Sequence, residues 1–265
     1  MTRLVRAEDL QAMKQAGEKI ACLTSYDACF ARLQEQAGVD VLLVGDSLGM
    51  VLHGEETTLG VNMADMIYHT RSVSRAVNSP LIISDMPYQS YTSPAKGLEN
   101  AQRLVAEAGA HMVKLEGGQP ILETVASICE NGIPVCGHLG LTPQSINEIG
   151  GYQVQARTEE AAKQLRQDAI ALEQAGASCL VLESIPAKLA AEVSDELSIP
   201  TIGIGAGIDC DGQVLVVHDM LGMSPRLATF CRDFLKDSGS IVGAFATYVA
   251  AVKDKSFPAP QHSFD

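Results

Sequence analysis

Val41-Leu42-Leu43-Val44-Gly45-Asp46-Ser47 is an unbroken apolar run that stops abruptly at a glycine, a carboxylate and a hydroxyl. It is too short for a helix with its own caps. A short, β-branched run without polar interruption reads as a strand buried on both faces, the mark of a parallel sheet, and its polar end reads as the opening into a site. The same phrase recurs. Ala108-Gly109 precedes His111-Met112-Val113-Lys114-Leu115-Glu116, and Ala175-Gly176 precedes Ser178-Cys179-Leu180-Val181-Leu182-Glu183. In each case a glycine suited to the left-handed position closes a helix and an acid ends the following strand. Repetition of this unit predicts an α/β architecture.

Working outward, eight strand segments can be placed: residues 19–24, the opening stretch, 79–85, 111–116, 133–137, 178–183, 200–205 and 213–218. Helical segments separate them, at 28–37 (capped by Asp27), 62–77, 94–108 and 159–175, and a helix over 7–16 precedes the first strand. Eight parallel strands with intervening helices predict a closed (β/α)8 TIM barrel, and 265 residues is the usual size for one, so residues 1–265 are expected to form a single domain. The helix over 7–16 is expected to cover the barrel bottom. One or two helices are expected within 224–252, where Ile241, Val242, Phe245, Tyr248, Val249 and Val252 make an apolar stripe that packs on the barrel, and the tail from 256 to 265 is expected to be irregular. The segment 48–61 is long, rich in glycine and threonine and carries His53, which predicts a lid over the site.

Composition narrows the function. Apolar residues make up 46% and charged residues 19%, and no apolar run approaches the roughly 20 residues that span a bilayer. A net charge of −13 with no basic cluster repels phosphate backbones and anionic lipid, so neither nucleic acid nor membrane is expected as a partner. The first residues have no secretory apolar core, which predicts a cytoplasmic protein. The seven cysteines lack Cys-x-x-Cys spacing and are expected to be reduced, mostly buried thiols.

Barrel enzymes place their chemistry at the C-terminal ends of the strands, so Asp46, Asp85, Glu116, His138 and Glu183 are expected to meet at one mouth. Four carboxylates crowded together resist ionisation unless a cation neutralises them. All-oxygen donors favour Mg2+ over zinc. Lys114 stands two residues before Glu116 and shares its face, as an anchor for a substrate carboxylate or as one half of an internal salt bridge. Ser47 lacks a nucleophile elbow and reads as a hydrogen-bond donor to ligand. The run Gly203, Gly205, Gly207 follows strand seven without phosphate-loop spacing, so close backbone approach to substrate or to a neighbouring helix is its expected role. His53, His69, His111 and His218 have no metal-motif spacing and are expected to be structural or surface residues.

Four ordered motifs, Val44-Gly45-Asp46-Ser47-Leu48-Gly49-Met50, Val113-Lys114-Leu115-Glu116-Gly117-Gly118, Gly137-His138-Leu139-Gly140-Leu141-Thr142-Pro143-Gln144-Ser145 and Ile202-Gly203-Ile204-Gly205-Ala206-Gly207, together resemble the ketopantoate hydroxymethyltransferase family. The likeness runs through nearly the whole chain to Phe257-Pro258 and His262-Ser263-Phe264. The resemblance implies a barrel of the phosphoenolpyruvate/pyruvate superfamily, assembled as a homodecamer and acting in pantothenate biosynthesis. It implies Mg2+ held by Asp46, Asp85 and Glu116, a 2-oxo acid contacted by Ser47, Asp85 and Lys114, and Glu183 as proton acceptor. His138 would orient a substrate or water group. The expected reaction moves a hydroxymethyl group from 5,10-methylenetetrahydrofolate to 3-methyl-2-oxobutanoate through an enolate. The alternative is a Mg2+-dependent 2-oxo acid lyase or aldolase of the same superfamily, which folate dependence would separate.

Overall fold

Side-chain alternation along a strand decides what fills a parallel barrel and what faces its helices. In the computed structural model, which describes residues 3–265 and so leaves Met1 and Thr2 outside, eight parallel strands close in sequence order, β1 against β8. The chain runs through α1 (Ala7–Ala16), β1 (Ile20–Thr24), α2 (Ala28–Gln36), β2 (Val41–Val44), α3 (Leu48–Val51), α4 (Met63–Ser74), β3 (Leu81–Asp85) and α5 (Pro94–Ala108). It continues through β4 (Met112–Glu116), α6 (Leu122–Glu130), β5 (Val135–Gly140), α7 (Ile146–Ile149), α8 (Glu159–Gln174), β6 (Cys179–Glu183) and α9 (Ala187–Glu196). It ends with β7 (Thr201–Ile204), β8 (Gly212–Leu215), α10 (Val217–Met220) and α11 (Ile241–Lys253). The expected (β/α)8 architecture is the one observed.

Two apolar clusters divide the interior. Ile20, Val41, Leu43, Leu81, Ile83, Met112, Cys136, Cys179, Val181, Ile202 and Val214 pack inside the barrel, and Leu10 of α1 joins them from below, fully buried. The amino-terminal helix therefore closes the bottom, as its position predicted. The alternate residues Leu42, Val44, Ile82, Val113, Leu115, Leu180 and Leu182 pack outward against the helices. Along β4 the inward ladder climbs from Met112 to Lys114 to Glu116, so the barrel changes from apolar to charged over a few residues.

Local chemistry sets the helix starts. Asp27 accepts hydrogen bonds from Cys29 N and Phe30 N at 2.7 and 3.0 Å, Asn62 caps α4, and Ser93 caps α5 ahead of Pro94. Gly38, Gly109 and Gly176, the closing residues of the repeated phrase, all take positive φ.

Some boundaries differ. β5 extends to Gly140, because His138 and Gly140 pair with Val181 and Glu183 of β6. β8 is shorter than predicted: after Leu215 the chain turns into α10, and Thr24 Oγ1 takes the Val217 N–H at 2.8 Å. Residues 224–240 hold no helix, and only α11 forms in the carboxyl-terminal region. Its stripe docks as expected: Phe245, Tyr248 and Val252 are buried, and Tyr248 Oη donates toward the Cys22 and Gln213 carbonyls at the β1/β8 seam. The tail is irregular except for a 3-10 turn at Pro260–His262. Among the described residues no helix is long and apolar enough to cross a membrane.

The seam has no slack at Gly212. A Cβ there would lie 2.5 Å from the Ile20 carbonyl oxygen and 2.7 Å from Ile202 Cδ1. Gly212→Val should cost about 1–3 kcal/mol by overpacking. Urea unfolding of that variant with an unchanged midpoint would show that the closure tolerates side chains.

Candidate active site

Gly45 and Gly117 lead the chain off β2 and β4 at the upper rim, and the charged ends of β2 to β6 converge there. At the centre stands Lys114. Its Nζ lies 3.0 Å from Asp85 Oδ1, 3.7 Å from Glu116 Oε1 and 3.2 Å from His138 Nδ1. Asp85 Oδ2 in turn accepts the Asp46 N–H at 3.0 Å, which ties the turn after β2 to the end of β3. His138 bridges two acids, with Nδ1 3.2 Å from Glu116 Oε1 and Nε2 3.2 Å from Glu183 Oε2. Side chains of Lys114, Asp85, Glu116 and His138 are only 3–4% exposed, whereas Glu183 retains 15%, so Glu183 is the more open to solvent.

The electrostatics follow from burial. Burial pushes the Asp46 carboxyl well above the usual carboxylate range, and the charges of Asp85 and Glu116 push it further. Asp85 is raised too, burial outweighing the pull of Lys114. Glu116 goes the other way: burial opposes its charge, but His138 and Lys114 overcome it. Burial and the Lys114 ammonium press His138 down, yet the carboxylates of Glu116 and Glu183 win and hold its pKa up at about 9. The raised value favours the imidazolium, whose Nδ1 bonds Glu116 while Nε2 faces Glu183 at 3.2 Å without a well-aligned hydrogen bond. Burial likewise opposes the charge of Lys114, and Asp85, Glu116 and Asp46 restore it above the ordinary lysine value.

Sequence reasoning gave no role to Gln144. It is buried; its N–H donates to Glu116 Oε2 at 2.9 Å and its Nε2 to Asp46 Oδ2 at 2.8 Å and Met86 O at 2.9 Å, while Tyr91 Oη donates to its Oε1. One residue thus ties two acids, Glu116 through its backbone N–H and Asp46 through its side-chain amide. Its signal was its place seven residues past the end of the predicted strand five, where a buried loop amide needs polar partners. Ser47 reaches the mouth but is already bonded to Tyr26 Oη at 2.8 Å. Segment 48–61 begins as α3, with Leu48 buried, and Met50 Sδ accepts the Tyr152 Oη hydrogen at 3.3 Å, so loops after β2 and β5 meet over the opening. His69 and His111 make backbone bonds to Tyr26 O and Ile82 N, His218 lies 5.6 Å from the Tyr26 ring, and His53 is exposed. The glycine run admits neighbours: Ala187 of α9 lies against Gly207, and Phe230 and Phe264 against Gly205.

A divalent cation fits the donor chemistry. Four carboxylates face one ammonium and one imidazolium, leaving negative charge in excess, and Asp85 Oδ1 is buried without a well-aligned hydrogen bond although Lys114 is near. Among the described residues no three acid, histidine or cysteine side chains already stand as a cage: Gln144 draws Asp46 aside and Lys114 occupies the space between Asp85 and Glu116.

Residues 4–260 match the family model described as Ketopantoate hydroxymethyltransferase. The chain belongs to the ketopantoate hydroxymethyltransferase family. Relatives named 3-methyl-2-oxobutanoate hydroxymethyltransferase include one from Thiobacillus denitrificans, 56% identical over 261 residues, covering 98% of this chain and 99% of that one. Another, from Paraburkholderia phytofirmans, is 55% identical over 256 residues, 96% and 94% of the two chains. Among solved structures the fold is similar to phosphonopyruvate hydrolase in complex with oxalate and Mg++, with a TM-score of 0.62, 14% identity, and 82% and 81% of the two chains covered. It is also similar to 2,3-dimethylmalate lyase, a member of the PEP mutase/isocitrate lyase superfamily, with a TM-score of 0.56, 17% identity, and 79% and 80% covered. These likenesses show a shared barrel fold.

Lys114→Met would strand the acids without their ammonium and should cost about 3–5 kcal/mol. The raised Asp46 and Asp85 carboxyls would rise further, so the folded variant takes up protons that the unfolded chain releases. Its deficit against the parent is then largest near neutral pH and narrows as pH falls through those raised values. Urea midpoints at about pH 7 and about pH 5 test this, and an equal deficit at both would contradict it. Gln144→Leu should lose about 1–3 kcal/mol by leaving Met86 O and Asp46 Oδ2 without their donor and Tyr91 with only its long bonds to the Glu116 backbone, a loss that the same assay reads.

Proposed function

We propose that this chain transfers a hydroxymethyl group from 5,10-methylenetetrahydrofolate to 3-methyl-2-oxobutanoate, giving 2-dehydropantoate (ketopantoate) for pantothenate synthesis. The observation that carries the reading is the partly exposed Glu183 carboxylate, held by the His138 imidazolium beside the buried cluster of Lys114, Asp46, Asp85 and Glu116. Family membership supplies the substrates. A homodecameric assembly and a cytoplasmic location belong to the same reading.

Asp46, Asp85 and Glu116 would hold Mg2+, which when bound draws electron density from the 2-oxo acid and so acidifies its C3 proton. The chain's own residues do the rest. The Lys114 ammonium receives the substrate carboxylate, and the Ser47 hydroxyl, oriented by Tyr26, offers a further hydrogen bond. Glu183 removes the C3 proton, leaving the electron pair in an enolate whose C3 bonds to the one-carbon unit as one folate C–N bond opens; water then replaces the remaining C–N bond, supplying the hydroxyl and releasing tetrahydrofolate. His138, charged and 3.2 Å from Glu183, fixes that carboxylate's position. Closure by the loops carrying Met50 and Tyr152 would keep water from the enolate.

Exchange of the C3 proton of 3-methyl-2-oxobutanoate for deuterium, followed by NMR with Mg2+, tests the central step. The parent should exchange. Glu183→Gln should still bind Mg2+ and the oxo acid by calorimetry, yet lose exchange and turnover by about a hundred- to ten-thousand-fold. Undiminished exchange in that variant would remove Glu183 from the role, and product formation without folate would favour a lyase.

A further inference from the structure

Just beyond Glu183 the rim holds a second feature, outside the acid cluster. Arg157, Pro186, Lys188, Phe264 and Asp265 line a cavity of about 740 Å³, a size typical of sites for small molecules and cofactors. Pro186 stands three residues past Glu183, in the short connection from the end of β6 to α9. Its walls are built from three segments tied together: Gln155 N donates to Ser184 O at 2.8 Å, and Ala187 N donates to Phe264 O at 2.8 Å. Ala156 and Ser184, next to Arg157 and Glu183, take φ of 55° and 48°, conformations that cost non-glycine residues energy and cluster where function requires a set geometry.

The lining has a definite chemistry. Phe264 packs edge-on to Phe230 with centroids 6.4 Å apart, over Gly205, where a Cβ would come within 2.7 Å of Phe230 and 3.0 Å of Phe264. That gives an aromatic surface. Arg157 and Lys188 are exposed, and among the described residues neither forms an ion pair with a carboxylate, including Asp265 on the same cavity. Lys188 also sits in the first turn of the ten-residue α9, whose amino-terminal end is the positive pole. Two bare cations at one cavity of a chain with net charge −13 favour an anionic ligand there and little else on the surface.

We propose that this cavity binds the anionic arm of the one-carbon carrier, its aminobenzoyl ring against Phe264 and its glutamyl carboxylates on Arg157 and Lys188. The inference rests on the reading of function above. The 2-oxo acid is small and its anchors lie deep in the barrel, whereas the carrier is long and must extend outward from the reacting carbon. Its formal charges are all carboxylates at the far end. The cavity supplies an aromatic face next to the reacting centre and cations for that end, with the Arg157 fork suited to a carboxylate.

The test is steady-state kinetics with 5,10-methylenetetrahydrofolate in monoglutamyl and triglutamyl forms, on the parent and on R157A/K188A, with K163A on the exposed face of α8 as a control for loss of a surface cation elsewhere. The double variant should raise KM for the folate about tenfold or more, with a larger rise for the triglutamyl form, while kcat stays within about twofold. K163A should leave that KM unchanged. Phe264→Ala gives an independent arm and should raise KM for both forms alike. Retained calorimetric binding of 3-methyl-2-oxobutanoate with Mg2+ certifies each fold. A folate KM within about threefold of the parent in R157A/K188A, with the parent folate-dependent, overturns this site and leaves the functional reading standing. A parent that makes no product with folate overturns the functional reading itself, and this assignment with it.

Discussion

A lysine ammonium inside a barrel is the constraint on which the site depends. Lys114 is almost wholly buried, and an unpaired charge there would cost several kcal/mol. Its presence obliges acids to gather, and Asp85 and Glu116 do so from β3 and from its own strand. Two acids overcompensate one cation, and Asp46 and Glu183 add to the excess, so His138 becomes charged in response. The cluster is thus a chain of mutual requirements. No member keeps its state if another is removed.

The scaffold makes this arrangement affordable by separating tasks along the barrel axis. The lower interior is apolar and sealed by Leu10, and it provides the packing that holds the strands in register. The upper interior carries the charges, each projecting from a strand end whose position the hydrogen-bond ladder fixes. Gln144 links the strand ends laterally: from the loop after β5 its backbone N–H holds the acid on β4 and its side-chain amide the acid after β2. Precision at the rim therefore comes from strands and one buried amide, while the loops above it are left to open and close.

Much of this was legible in the sequence because period-two burial and strand-end acids leave a direct trace. The run at Val41–Val44 declared a buried parallel strand, and its repeats at Met112–Glu116 and Cys179–Glu183 gave both the barrel and three members of the cluster. What sequence did not carry were contacts between distant loops. Nothing local marks Gln144 as the partner of Asp46, 98 positions away, or the tail carbonyl of Phe264 as the acceptor for Ala187. Boundaries failed where a tertiary hydrogen bond intervened, as when the Thr24 hydroxyl captured Val217 N–H and ended β8 early. Of the one or two helices expected within 224–252, α11 alone forms, and 224–240 is irregular around the buried Phe234 and Cys231.

The closed floor has a consequence for traffic. With Leu10 and its apolar neighbours stopping the lower end, the barrel is a blind well whose single mouth serves both entry and exit. The anchors for a small acid lie at depth and the reactive carboxylate stands above them. A bulky second reactant arriving first would therefore block the shaft, and a product formed at the bottom waits until the larger molecule above it has left. Sequence of arrival and departure is in this way written into the shape of the well, through a helix that touches none of the chemistry.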